Sequence, residues 1–362
     1  MKNNKTSGSR TTTPARFFHP FVYCLKRLNA IFTFCTLFFL QACSQALPEN
    51  SDYCYEKIAT GYGPEDLQID TITNPAKPRL IISCHTRRDS EPTISEIYSF
   101  NIGEKTANVM TRIEPKGMHF SPHGLDLANV RDSLILLVIS HHDSLKEQSI
   151  IRYLVKGDTL FFLQKITNPL FASPNAVAGM SNGDFLVSND TGKRGNFWEY
   201  LFRQKKSKVI YCKGDNCSIA ADKICYGNGV LVSDSTIYEA STLPGEIYQY
   251  TLDNGKLINQ KKIAEIAGAD NLRLYNGELI VAAHLRFGKF LAHMKNIEKK
   301  SPTAIYSVNP ESGEKKLVYF DDGHEISAAS TGLIFRDKLY IAQVFDPFIL
   351  CVDLSCRTSA KK

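Results

Sequence analysis

A chain of 362 residues with 43% hydrophobic and 10% aromatic content can bury a large core, and a closed all-β ring of this size needs no second domain. The formal net charge is +6, but residues 1–43 hold six basic side chains (Lys2, Lys5, Arg10, Arg16, Lys26, Arg27) and no acid. The remainder is close to neutral, which removes the electrostatic case for a nucleic-acid partner.

The amino terminus reads as an export signal: a basic, Ser/Thr-rich leader to Arg27, then an apolar stretch Leu28 to Leu40, shorter than the roughly 20 residues a spanning helix needs. It ends in Leu40-Gln41-Ala42-Cys43, which resembles a bacterial lipobox with Gln as a less usual occupant. That resemblance implies a mature chain starting at a lipid-bearing Cys43, and Ser44 looks like the outer-membrane sorting choice. An ordinary cleaved signal or an uncleaved anchor are the alternatives. The expected organisation is a signal peptide over 1–43, a short tether over 44–53 and one domain over 54–362, exported and anchored to the bacterial envelope by lipid.

Beyond the leader, six polar signatures each open an apolar run: Glu65-Asp66-Leu67, His123-Gly124-Leu125, Asn175-Ala176-Val177, Asn228-Gly229-Val230, Asp270-Asn271-Leu272 and Ser330-Thr331-Gly332. Their spacings of 58, 52, 53, 42 and 60 residues fit four-stranded blades, so the sequence predicts a six-bladed β-propeller. Second strands of blades are expected at 79–84, 133–139, 185–188, 278–282 and 338–342, each β-rich and bounded by turn residues. Outer strands are expected at 96–100, 246–250 and 304–308, where apolar and polar residues alternate. Asn182-Gly183, Asn254-Gly255 and Asn276-Gly277 read as two-residue hairpin turns. Residues 288–299 break the β pattern, since Phe290, Leu291, Met294 and Ile297 carry helical spacing and suggest a lid or an inter-blade helix.

Seven cysteines follow Cys43, an odd number that leaves at least one thiol unpaired, and export places them where disulfides persist. Cys54 lies just before the first repeat and Cys351 in the last strand, so a bridge between them would fasten the ring where its ends meet. Cys212 and Cys217 flank a turn-like Lys-Gly-Asp-Asn and could close locally. No C-x-x-C pair suggests zinc.

Radial repetition carries the signatures to one place beside the central channel, and what it gathers there is chemically coherent. Glu65, Asp66, Asn175, Asn228, Asp270 and Asn271 are oxygen donors without thiolates, a set suited to a hard cation, calcium first. Any one Asn or Asp at a strand start is more often a turn former bonding its own backbone, but recurrence in register favours ligands. His123 opens the second repeat and His141 ends the strand after it, so antiparallel pairing can bring the two imidazoles together as acid/base candidates. His284 ends a strand in the same manner and is expected to line the pocket.

Taken together, these motifs resemble the serum paraoxonase/arylesterase family, within the wider superfamily of gluconolactonase-like six-bladed propellers. The resemblance spans roughly residues 54–353 in order: Gly63-Pro64-Glu65-Asp66-Leu67, Pro122-His123-Gly124, Ser140-His141 (Asn-His in the family), Pro174-Asn175, Asn228-Gly229 and Asp270-Asn271. It implies a catalytic calcium on Glu65, Asn175, Asn228, Asp270 and Asn271, and a ring-closing disulfide between Cys54 and Cys351. It further implies a second, structural calcium on Asp66, the Leu125 carbonyl and a third residue that here is Ala176, which offers no side-chain donor. Tyr226 and Val344 fall on pocket-wall positions. The implied activity is hydrolysis of lactones, with aryl esters as a side activity, His123 deprotonating the attacking water and His141 orienting it or relaying its proton; Glu65 or Asp270 as base or nucleophile is the alternative. Two alternatives remain: a propeller that binds at the cell surface without chemistry, and a sugar-lactonase or strictosidine-synthase-like relative. No G-x-S-x-G supports a serine hydrolase.

Overall fold

The protein is described here by a computed structural model covering residues 46–357, so the signal peptide and the lipid site at Cys43 lie outside the described residues. The described residues from 49 onward form one unit, built from six sheets in the order the repeats predict. The innermost strands are Pro64–Asp70, Pro122–Val130, Pro174–Gly179, Gly227–Ser233, Ala269–Tyr275 and Ala329–Phe335, one per blade, and each begins at or beside a polar signature. The second strands, Arg79–His85, Ser133–His142, Phe185–Asn189, Thr236–Ser241, Glu278–Ala283 and Lys338–Gln343, are almost wholly buried, as apolar runs sandwiched between neighbouring blades must be. The second blade carries an extra short strand, Thr111–Ile113, added parallel to its outer edge.

Every innermost strand is irregular at the same place. The pairing with the second strand shifts between Pro64 and Asp66, Pro122 and Leu125, Pro174 and Val177, Gly227 and Val230, Ala269 and Leu272, and Ala329 and Thr331. A bulge lets two residues oppose one and re-aims the side chains it carries, so all six signatures leave the ladder at the tunnel mouth. Two signature glycines make room for this crowding. A Cβ on Gly124 would stand 2.4 Å from the Asn175 carbonyl oxygen, and one on Gly229 would stand 2.6 Å from that of Asp270.

The ring closes in the sixth blade, where the amino-terminal strand Tyr53–Ala59 pairs with the carboxy-terminal strand Phe348–Arg357. The cysteine that completes this closure is Cys356, not Cys351: Cys54 is bonded to Cys356, with Cα atoms 5.4 Å apart, while Cys351 is a free thiol. The register explains the correction. Cys351 pairs opposite Glu56, two residues beyond Cys54, and strand alternation turns its sulfur into the core with Ile58, Cys84 and Tyr340. Cys54 pairs opposite Asp353 and Tyr53 opposite Arg357, so the register shift between them leaves Cys356 in the skipped segment, beside Cys54. The local bridge Cys212–Cys217 is present across a hairpin in which the two residues are directly paired.

Among the described residues two α-helices interrupt the β pattern near the site. Helix α1, Phe197–Leu201, is one turn and was not anticipated; Asn196 caps it by accepting from the Trp198 amide at 3.2 Å. Helix α2, Phe287–Lys295, is the helix expected at 288–299, and it ends at Asn296, whose extended backbone stops the turn. Among the described residues no helix is long and apolar enough to cross a membrane.

Cys356→Ser opens a loop of 302 residues and should lower unfolding stability by about 2–5 kcal/mol, whereas Cys351→Ser should leave the closing disulfide intact. Chemical denaturation with peptide mapping under non-reducing conditions checks both; a Cys54–Cys351 peptide would contradict the register.

Candidate active site

Four of the six bulges bring Glu65, Asn175, Asn228, Asp270 and Asn271 to the tunnel mouth, and all five side chains are buried. Four of them line a cavity of about 240 Å³ together with His123, Arg87, Tyr226, His284 and Val344; the fifth, Asn271, bonds Glu65 beneath its floor. Tyr226, His284 and Val344, expected from the sequence to line the pocket, are part of the lining of this cavity. Tyr226 adopts φ of 57°, a left-handed backbone that a tyrosine adopts at a cost, and this directs its ring against Tyr200 and Phe287 at the cavity wall.

The oxygens at this mouth are short of partners. Glu65 Oε2, Asn175 Oδ1, Asn228 Oδ1 and Asn271 Oδ1 are buried and accept no hydrogen bond. Leaving a buried acceptor bare costs about 1–3 kcal/mol, so four of them in one cluster are a concentrated set of uncommitted oxygen donors. Their neighbours fix how they are presented. Asn271 Nδ2 donates to Thr331 Oγ1 at 3.0 Å and to Glu65 Oε1 at 3.4 Å, which leaves its carbonyl oxygen as the uncommitted end. Asp270 Oδ2 stands 2.7 Å from His284 Nε2. Burial, with the Asp66 and Asp270 carboxylates adding to it, pushes the Glu65 carboxyl up to about 8, against the opposing pull of Arg87. Among the described residues no group of three or more His, Cys, Asp or Glu is placed to hold a metal. The mouth has two carboxylates and three amides, so any ion it fits is a hard cation that accepts amide oxygens.

The two imidazoles meet as the pairing predicted. Pro122 opposes Ser140 across the strand pair, and the rings of His123 and His141 lie 4.9 Å apart, edge to face. Their protons are set by different partners. Arg87 Nη2 lies 2.8 Å from His123 Nδ1, and since a guanidinium only donates, Nδ1 is an acceptor and Nε2 carries the hydrogen, 3.8 Å from Glu65 Oε1. His141 Nδ1 contacts the Gln148 amide oxygen, which can only accept, so Nδ1 is protonated and the buried Nε2 lone pair has no partner. Burial keeps both rings neutral: it holds His141 down to about 3, helped by the Arg194 charge, and His123 well below the ordinary histidine range, helped by Arg87.

Arg87 and Gln148 belong to no repeat signature, and sequence reading missed both. Arg87 follows the second strand of the first blade, where it also donates to the His85 carbonyl at 3.0 Å; the Arg87-Arg88 pair was the only signal available. Arg88 fastens helix α2 by donating to the His293 carbonyl at 3.1 Å and pairing with Asp346 at 3.1 Å. That helix and α1 frame an apolar cleft of about 310 Å³, lined by Phe197, Tyr200 and Leu291, which shares Asp190, Tyr226, Phe287, Phe290 and Met294 with the mouth cavity.

The family model described as Arylesterase matches residues 90–354. The chain belongs to the arylesterase family. Within it, the chain is 26% identical to serum paraoxonase/arylesterase 1 of Rattus norvegicus over 291 residues, 78% of each chain. It is 22% identical to serum paraoxonase/lactonase 3 of Homo sapiens over 242 residues, 64% of this chain and 68% of that protein. Among solved structures it resembles regucalcin, a calcium-binding protein of Agrobacterium tumefaciens, with a TM-score of 0.51 at 11% identity, covering 84% of this chain and 95% of that one. At that identity the structural likeness carries the propeller fold alone.

The tautomers are directly measurable. Long-range ¹⁵N–¹H correlation spectra at neutral pH should show His123 protonated at Nε2 and His141 at Nδ1, and Arg87→Met should release His123 to a mixture; the opposite pair of tautomers would contradict the assignment.

Proposed function

We propose that this arylesterase-family chain is a calcium-dependent hydrolase of lactones and aryl esters, with the tunnel mouth as its active site. The observation that carries the reading is the cluster of four partnerless oxygens on Glu65, Asn175, Asn228 and Asn271, beside Asp270. These five residues would hold the ion: two carboxylates offset its charge and three amides complete an all-oxygen set. When bound there, calcium supplies Lewis-acid stabilisation of the charge that develops on a substrate carbonyl oxygen.

The chain's own groups handle the proton. Gln148 holds Nδ1 of His141 in the protonated form and leaves its Nε2 lone pair open, so of the two rings His141 is the one whose lone pair is free to take a proton from an attacking water. His123, held by Arg87 with its hydrogen on Nε2, is suited to donate a hydrogen bond to water or to the developing oxyanion. This exchanges the roles that the family resemblance implies for the two histidines, and the Arg87 contact is the reason. Tyr226, Phe290 and Val344 would close the apolar wall against the substrate's non-reacting part, which the aromatic cleft extends. The sequence supports a further part of the proposal, attachment to the bacterial envelope through a lipid on Cys43.

A panel of lactones and phenyl acetate, assayed with and without chelator, tests the function. Activity should vanish on chelation and return with calcium, and Asp270→Asn should abolish it together with metal binding. His141→Ala should lower turnover about 10²–10⁴-fold at saturating calcium. Full activity after exhaustive chelation would defeat the metal-based reading, and a near-normal His141→Ala enzyme would defeat the assignment of the proton acceptor.

A further inference from the structure

We propose that the guanidinium of Arg273 is a built-in counter-cation of the propeller tunnel, standing where the family resemblance puts a second metal ion, so that the ring folds without any ion at that level. The inference stands whether or not the mouth oxygens hold calcium.

The argument rests on where donors point. Asp66 follows Glu65 on the inner strand of the first blade, and strand alternation separates the two carboxylates. Asp66 is buried, with 1% of its surface exposed, yet neither of its oxygens is bare. Oδ1 accepts from Arg273 Nη2 at 2.5 Å, from Thr331 Oγ1 at 2.9 Å and from the Leu67 amide at 2.9 Å, while Oδ2 accepts from the Leu125 amide at 2.9 Å. The remaining faces of the guanidinium are also used. Nε and Nη2 donate to the Leu67 carbonyl at 3.0 and 2.9 Å, and Nη1 donates to the Leu272 carbonyl at 2.9 Å. The guanidinium thus gives the carboxylate one charge-assisted hydrogen bond and grips the Leu67 carbonyl with two N–H groups, which fixes a full positive charge beside Asp66.

The residues expected to hold an ion here do not fit one. Leu125 presents an N–H to Asp66, and Ala176 has no side-chain oxygen while its amide donates to Ser188 Oγ at 3.1 Å. An ion beside Asp66 would have to share one carboxylate with a fixed positive charge in a place of low dielectric, where like charges repel strongly. The next acid along, Asp126, is likewise committed: Oδ1 accepts from Gln68 Nε2 and Oδ2 from the Gly179 amide, both at 2.8 Å. The contrast decides the matter. At the mouth four buried oxygens lack partners, and one step further in every carboxylate oxygen has a protein donor.

Arg273 also does structural work that a metal would otherwise do. It sits on the inner strand of the fifth blade and reaches Asp66 of the first, while Thr331 of the sixth blade and the Leu125 amide of the second bind the same carboxylate. Four blades are thereby tied across the axis by groups that belong to the chain.

Equilibrium dialysis of the full chain against calcium, with atomic absorption to count bound ions, tests this together with thermal melting in chelator. The expected result is at most one ion per chain in the wild type, none in Glu65→Gln/Asp270→Asn, and cooperative melting of the wild type in chelator. Two ions in the wild type, one ion retained by the double variant, or loss of the folded state on chelation would overturn the inference. No ion in either protein would leave it standing and refute the calcium reading of the mouth instead. Should the double variant fail to fold, the wild-type count and melting decide alone.

Discussion

A closed ring of six blades forces the starts of six strands onto one axis, and whatever polar atoms those strands carry must be satisfied there, away from bulk water. In this protein each start is bulged, so the polar signatures are turned out of the ladder and toward the tunnel. The rest follows from how the resulting concentration of oxygen is neutralised. A buried carboxylate without a counter-charge either takes up a proton or recruits a cation, and the chain uses different answers at successive levels. Deep in the tunnel a guanidinium answers Asp66, whereas at the mouth Glu65 is held partly as the acid and the amide oxygens are left open.

The same economy of partners shapes the histidine pair. Two neutral imidazoles of the same type, 4.9 Å apart, are made chemically different by one neighbour each. A guanidinium consumes the lone pair of His123, and an amide oxygen consumes the Nδ1 hydrogen of His141. The difference between a donor and an acceptor at the reacting centre is thus encoded outside the conspicuous motifs, on Arg87 and Gln148. Reading only the repeated signatures assigns the imidazoles correctly to one place and leaves their protonation undetermined.

Much of the fold was legible because propeller blades repeat at intervals that a sequence displays openly. The β-rich second strands, the helix after the fifth repeat and the pairing of the His123 and His141 strands are all governed by local periodicity and antiparallel geometry. The bulges were not legible, since a one-residue slip leaves no compositional mark. Nor was Cys356: its pairing depends on the register shift at Cys54, and Cys351 in the strand interior offered the simpler but incorrect partner. Arg273 was invisible for a related reason. Two positions after an Asp-Asn signature it reads as an ordinary strand arginine, and only the folded ring brings it to Asp66, 207 residues away in sequence.

The central claim, that the mouth oxygens share one divalent ion, is tested most directly by a crystal structure of the protein grown in calcium, with the ion identified by its anomalous signal. The account predicts a single strong peak at about 2.3–2.6 Å from oxygens of Glu65, Asn175, Asn228, Asp270 and Asn271. A mouth that holds only water at saturating calcium, with the amide oxygens turned to other partners, would contradict it.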